Sequence, residues 1–211
     1  MDVKIKDILE KFRVMKSLRN KLKLLDKLTV QGKISGEENH VWLVSSSDFN
    51  SDVCKYEHRL DEFLREAELR SPYVDGVRLG YVGVPPIITD LYEFVRTRGA
   101  EIRFNEVQRQ FSIPSESEDF YEAYLEYTYP YDIFGRIEDI RREIVNRRLD
   151  GIIHYVQSFC HRQVQDILLK KHLGLPVLTI EADTPGNLDE RGKIRIESFI
   201  EMLAERKLAT K

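Results

Sequence analysis

The stretch from Asp150 to Phe199 constrains the fold more than any other part of the chain. Gly151 to Val156 is a short apolar run rich in β-branched and aromatic residues, long enough for a buried parallel strand and too short for a helix. A brief polar turn follows, and from His161 the residues Val164, Ile167, Leu168 and Leu175 recur at helical spacing, with Gly174 where a helix commonly stops. Pro176 to Ile180 then reads as a second strand. Strand, turn, helix, strand is a βαβ unit, whose crossover is right-handed in a twisted parallel sheet. Cys160 therefore falls at a strand's carboxyl end, where open α/β sheets bind ligands and where a helix N-terminus stabilises a thiolate. Position alone leaves it two readings, a functional thiolate or a small buried hydrophobe.

The preceding chain repeats the pattern. Val77 to Val84 reads as the first strand, closed by Pro85-Pro86, and Ala100 to Val107 as the second, with a helix between them that carries Leu91, Phe94 and Val95 and stops at Gly99. The loop GYVGVPP lacks the third glycine and the Gly-Lys-Ser/Thr of phosphate loops. Gly83 and Pro85 read instead as a turn that lets the backbone approach a bulky ligand closely. Gln108 to Ser117 reads as a polar loop, with Ser115-x-x-Glu118 as a capping box. Phe120, Tyr121, Tyr124, Tyr127, Tyr129 and Tyr131 then crowd together as the wall of an apolar pocket or as core and rim. Ile137, Ile140, Ile144 and Val145 mark an amphipathic helix feeding the strand before Cys160. The expected architecture is α/β, a flavodoxin-like four-stranded parallel sheet in the order 2-1-3-4. The carboxyl-end loops, including Gly83 to Pro86, Gln157 to His161 and Glu181 to Asp183, should meet on one rim.

Residues 1–72 read as a helical extension and 73–211 as the α/β domain. Ile5, Ile8, Leu9, Phe12 and Met15, then Leu18, Leu22, Leu25 and Leu28, follow helical spacing among lysines and arginines. Ser35-x-x-Glu38 is a capping box for a short helix, and Val53 to Ala67 is a longer one that ends before Ser71-Pro72. Cys54 and His58 share a helical face, but two ligands do not make a metal site.

Composition narrows the class. A chain of 211 residues, 42% hydrophobic, builds a core of its own, and a net charge of −3 does not suit a dedicated nucleic-acid binder. Two cysteines make no disulfide framework, and no apolar run spans a membrane or serves as an export signal, so a cytoplasmic protein is expected.

The run YVQSFCHRQVQDILLKKHLGLPVLTIEAD with KIRIESFIEML resembles the C-terminal half of a subunit of the 2-hydroxyacyl-CoA dehydratase and benzoyl-CoA reductase family. The resemblance rests on Asp150-Gly151, Phe159-Cys160, Pro176, Glu181-x-Asp183 and Arg195-Ile196-Glu197, and extends over most of the chain. It implies an iron-sulfur cluster, of the 4Fe-4S kind, held between two flavodoxin-like domains, with Cys160 as a ligand. The cysteines of the family's first domain have no counterpart here, so the cluster would be shared with a separately encoded N-terminal-domain-like chain or a paralogous subunit. The resemblance also implies an ATP-dependent activator that injects one electron and an acyl-CoA substrate that is dehydrated through a ketyl radical or reduced. Gly83, Pro85, Tyr131, Gln157, Ser158 and Arg162 are candidates for contacts to cluster or thioester, and Glu181, Asp183 and His161 for acid–base work. Arg162 has a local alternative in Asp166, and the two acids in capping backbone groups. Two further readings fit the same residues: a double-cubane-like reductase for small molecules other than CoA esters, and a non-enzymatic flavodoxin-like binding or assembly module without a cluster.

Overall fold

A computed structural model describes residues 4–73, 76–127 and 132–209. The sheet has four parallel strands in the order β2-β1-β3-β4: β1 (Val77–Val82), β2 (Ala100–Asn105), β3 (Gly151–Val156) and β4 (Val177–Glu181). The expected order and class are therefore found. Every residue of β3 is buried, which is why its sequence is nearly continuous apolar rather than alternating. Period-two geometry sends Leu79, Tyr81, Ile153 and Tyr155 to one face, against Leu91, Val95, Phe199 and Leu203. Val82, Phe104 and Ile152 go to the other, against Ile137, Ile140 and Leu169.

Helices cover both faces. α5 (Leu91–Thr97) and α10 (Glu190–Ala209) lie over the first, and α8 (Ile133–Arg147) and α9 (Asp166–His172) over the second. The chain leaves α8 through Arg148 in a left-handed conformation (φ +52°) and enters β3 at once. Ahead of the sheet stand α1 (Ile5–Val14), α2 (Lys16–Val30), α3 (Gly36–Ser45) and α4 (Val53–Leu69), with their own core of Leu22, Leu25, Ile34, Leu43 and Leu60. The capping box read at Ser35 is present: its hydroxyl accepts from the Glu38 N–H, and the Glu38 carboxylate accepts from the Ser35 N–H.

This helical layer is bound to the sheet through buried polar groups. Asn105 at the end of β2 donates to the Gly36 carbonyl and to Asn39, both at 2.8 Å. Arg147 reaches from α8 to Asp26 on α2 and to the Arg103 carbonyl. Gly36 permits the close approach, because a Cβ there would lie 2.4 Å from the Ile102 carbonyl oxygen.

Three segments depart from the sequence reading. Gln108 to Ser117 is not all loop, since Glu106–Phe111 forms helix α6, whose Gln108, Arg109 and Gln110 are buried against the helical layer. Polar composition gave the wrong sign because these side chains find buried partners, Arg109 on Asp139 and Gln108 on His40. The cap of α7 (Phe120–Leu125) is Asp119 rather than Ser115, whose hydroxyl instead accepts from the Ser117 N–H. After Cys160 the chain makes a 3₁₀ turn, His161–Gln165, before α9. That tighter turn shifts the helical phase, leaving Val164 and Ile167 exposed while Leu169 and Leu173 fill the core. Tyr129 and Tyr131 of the aromatic cluster lie outside the described residues.

Substituting Gly36 with alanine should lower stability by about 2 kcal/mol, because the added methyl forces α3 away from β2. Urea unfolding measures this, and an unchanged midpoint would mean that the contact relaxes freely.

Candidate functional site

The strand order reverses between β1 and β3, so the chain runs outward on both sides of a crevice at their carboxyl ends. A cleft of about 170 Å³ opens there, lined by Gly83 and Val84 after β1, His154 and Tyr155 of β3, and Cys160 and Arg162 beyond it. Gln157 and His161 also line it. Cys160 is partly exposed, and its turn closes with its N–H donating to the Gln157 carbonyl at 2.9 Å. The Ser158 N–H donates to Asp183 at 2.8 Å, which ties the turn to the loop after β4 and lowers the Asp183 carboxyl pKa through its hydrogen bonds from Ser158.

Beneath this turn lies a buried ion pair. Glu106, at the start of α6, accepts from Arg136 of α8 at 2.5 and 2.7 Å, and both side chains are almost wholly buried. The second Glu106 oxygen also accepts from the Gly83 N–H at 2.9 Å, and Arg136 donates onward to Gln165. One salt bridge thus holds the loops after β1, β2 and β3 together. Burial pushes the Glu106 carboxyl up, but Arg136 outweighs it and keeps the pKa below its ordinary value. Gly83 has φ +115°, and a Cβ there would lie 2.3 Å from the Tyr155 carbonyl oxygen. The close approach that Gly83 permits is thus to the backbone of β3.

His154 forms a second polar unit in the cleft wall. Its Nδ1 lies 2.8 Å from Asp166, which also accepts from Thr179 and Lys170, each at 2.6 Å. Burial pushes the His154 pKa down, so at neutral pH the ring is uncharged. Its Nδ1–H donates to the Asp166 carboxylate, which leaves Nε2 as an acceptor. Burial pushes Asp166 up, and the hydrogen bonds from His154, Lys170 and Thr179 reverse this to leave it lowered.

The structure brings Gly83, Gln157, Cys160, His161 and Arg162 together on one cleft. It does not bring all the rim residues there. Glu181 and Asp183 line a different, polar cleft with Thr184 to Asp189 and Arg195, so the single expected rim divides in two, joined by the Asp183 to Ser158 hydrogen bond. Pro85 shapes the turn after Gly83 without lining either cleft, and Tyr131 lies outside the described residues. Cys54 is exposed on α4, and His58 beside it faces Glu62 at 3.5 Å. Among the described residues no group of three or more histidine, cysteine, aspartate or glutamate side chains is placed to hold a metal. Sequence reasoning passed over Glu106, Arg136 and His154. The one available signal was a histidine inside a strand buried on both faces, where an unpartnered imidazole is costly.

Replacing Glu106 with glutamine should cost about 3–5 kcal/mol by stranding the buried Arg136 charge. Because the folded Glu106 pKa lies below 4.5, its contribution is present above that pH and is lost as pH falls through the folded value. Wild-type stability measured by urea titration should therefore fall more steeply below about pH 4.5 than that of the glutamine variant. Parallel curves would remove the pair from its structural role.

No curated protein sequence matches the chain. A family model described as 2-hydroxyglutaryl-CoA dehydratase, D-component, matches residues 2–203. The match takes in the helical layer, the whole sheet and the cleft at Cys160. This chain belongs to the 2-hydroxyglutaryl-CoA dehydratase D-component family.

Proposed function

We propose that this chain is the C-terminal half of a 2-hydroxyacyl-CoA dehydratase- or benzoyl-CoA reductase-type component, acting in the cytoplasm, in which Cys160 gives one thiolate to a shared 4Fe-4S cluster. The observation that carries this reading is the position of Cys160, partly exposed on a turn at the crevice between β1 and β3. Such a cluster takes four thiolates, and the described residues fit one corner of it, since Cys54 sits on α4, away from the cleft. The other ligands belong to a companion chain or domain facing this rim. Large apolar side chains surround the turn on its open side, with Phe159 76% and Val164 75% exposed, as suits a surface that another polypeptide covers.

When bound, the cluster supplies low-potential electrons, delivered by an ATP-dependent activator, to an acyl-CoA thioester. The work of this chain's own residues is to hold and orient. Asp183 fixes the Ser158 N–H and thereby the Cys160 turn, while the Glu106–Arg136 pair fixes the 3₁₀ turn behind it. Gln157, His161 and Arg162 lie where they can donate hydrogen bonds to a cluster sulfur or a thioester carbonyl. The uncharged His154, oriented by Asp166, can take a proton at Nε2 within the cleft. Glu181 serves the neighbouring polar cleft.

Changing Cys160 to serine in the chain co-expressed anaerobically with its companion should abolish cluster iron while leaving the circular dichroism spectrum unchanged. Undiminished iron in that variant would remove Cys160 from the ligand set.

A further inference from the structure

A third cleft shares no lining residue with the one at Cys160 or with the polar one at Glu181. It measures about 640 Å³ and lies where α1 and the start of α2 meet Phe49 and the Phe111–Phe120 segment. A lobe of about 490 Å³ adjoins it through Phe12, Ser47, Ile113 and Phe120 and extends to Tyr124 and Tyr127. Of the aromatic cluster read in the sequence, Phe120, Tyr124 and Tyr127 wall these lobes while Tyr121 is exposed, with Phe120 stacked on Tyr124 and edge-on to Phe12. Volumes of this order suit small organic ligands.

Three observations specify the ligand. First, α1 carries a clear apolar stripe, yet Phe12 is its only buried residue; Ile8 and Phe12 spend that stripe on the cleft wall, joined there by Met15 just beyond the helix. Second, Phe49 and Ile113 both line the cleft with left-handed backbones, φ +53° and +51°, a conformation costly for aromatic and β-branched residues and retained where the surroundings demand it. Third, Arg19 lines the same cleft half-buried, its guanidinium carbon 3.8 Å from the Phe12 ring centroid, and it has no ion-pair partner among the described residues. Burial holds its pKa below the ordinary value, as for a cation short of compensation. Lys11 adds a second positive charge to the lining and Asp7 one negative, so the cleft is net cationic.

We propose that this cleft binds an apolar carboxylate, with the aliphatic or aryl tail among Phe12, Phe111, Ile113 and Phe120 and the carboxylate paired with Arg19. An apolar ligand without charge leaves the half-buried guanidinium unanswered, and a cationic amphiphile opposes it.

Isothermal titration of the full chain with decanoate, decanol and decyltrimethylammonium, each below its micelle concentration, tests this. Decanoate should bind saturably, roughly tenfold or more tighter than decanol, with the ammonium amphiphile weakest. Arg19→Gln should erase the advantage of decanoate while leaving decanol binding unchanged, and Arg19→Lys should retain part of it. Ser47→Trp, which fills the space common to both lobes, should block both ligands with helix content unchanged. Equal affinity for the three probes, an Arg19→Gln variant that still prefers decanoate, undiminished decanoate binding by Ser47→Trp, or no saturable binding at all would overturn the proposal.

Discussion

The buried pair of Glu106 and Arg136 is the interaction on which the rim of this molecule depends. Taking two charges out of water costs several kcal/mol per ion, which the pair offsets only through close, bidentate geometry and further hydrogen bonds. Those bonds are what organise the site. The spare capacity of Glu106 goes to the Gly83 N–H after β1, and that of Arg136 to Gln165 beyond Cys160. A loop cluster that would otherwise be the most pliable part of an α/β sheet is therefore pinned from below by a charge pair with almost no solvent access. Apolar residues of the same volume could fill the space, but they could not hydrogen-bond the Gly83 N–H or the Gln165 side chain of the neighbouring loops.

A similar logic joins the helical layer to the sheet. The end of β2 meets α3 through Asn105, Asn39 and the Gly36 carbonyl, and α8 meets α2 through Arg147 and Asp26. Directional bonds of this kind fix register as well as adhesion. Residues 16–69 accordingly have their own apolar core yet are oriented by polar contacts to the sheet. The clefts at Cys160 and beside α1 follow from this construction. One opens at the strand-order reversal, and the other opens where the amphipathic stripe of α1 finds too little partner surface to be covered.

Much of the sheet was legible because β3 and β4 are continuous apolar runs with sharp boundaries, and because Gly99 and Gly174 punctuate the crossovers; both adopt positive φ in the structure. The capping box at Ser35 was equally readable, since its signal is local. What periodicity could not show was phase and pairing. Val164 and Ile167 fit a helical stripe on paper, and a single 3₁₀ turn moved them to the surface. Gln108 to Gln110 looked like loop because their partners, His40 and Asp139, lie far away in sequence. Glu106 and Arg136, separated by 30 positions, carry no joint sequence signature, and so the supporting half of the site escaped notice while Cys160 did not. The division of Glu181 and Asp183 from the Cys160 cleft likewise depends on side-chain direction beyond a strand end, which composition does not encode.

On the proposed reading this chain presents one thiolate to a cluster that a companion chain or domain completes. Iron and acid-labile sulfide should be measured after strictly anaerobic purification, for the chain alone and for the chain with its companion. Negligible iron in the isolated chain and roughly four iron atoms per assembled pair are expected. A full cluster on the isolated chain, or no iron in either preparation, would contradict it.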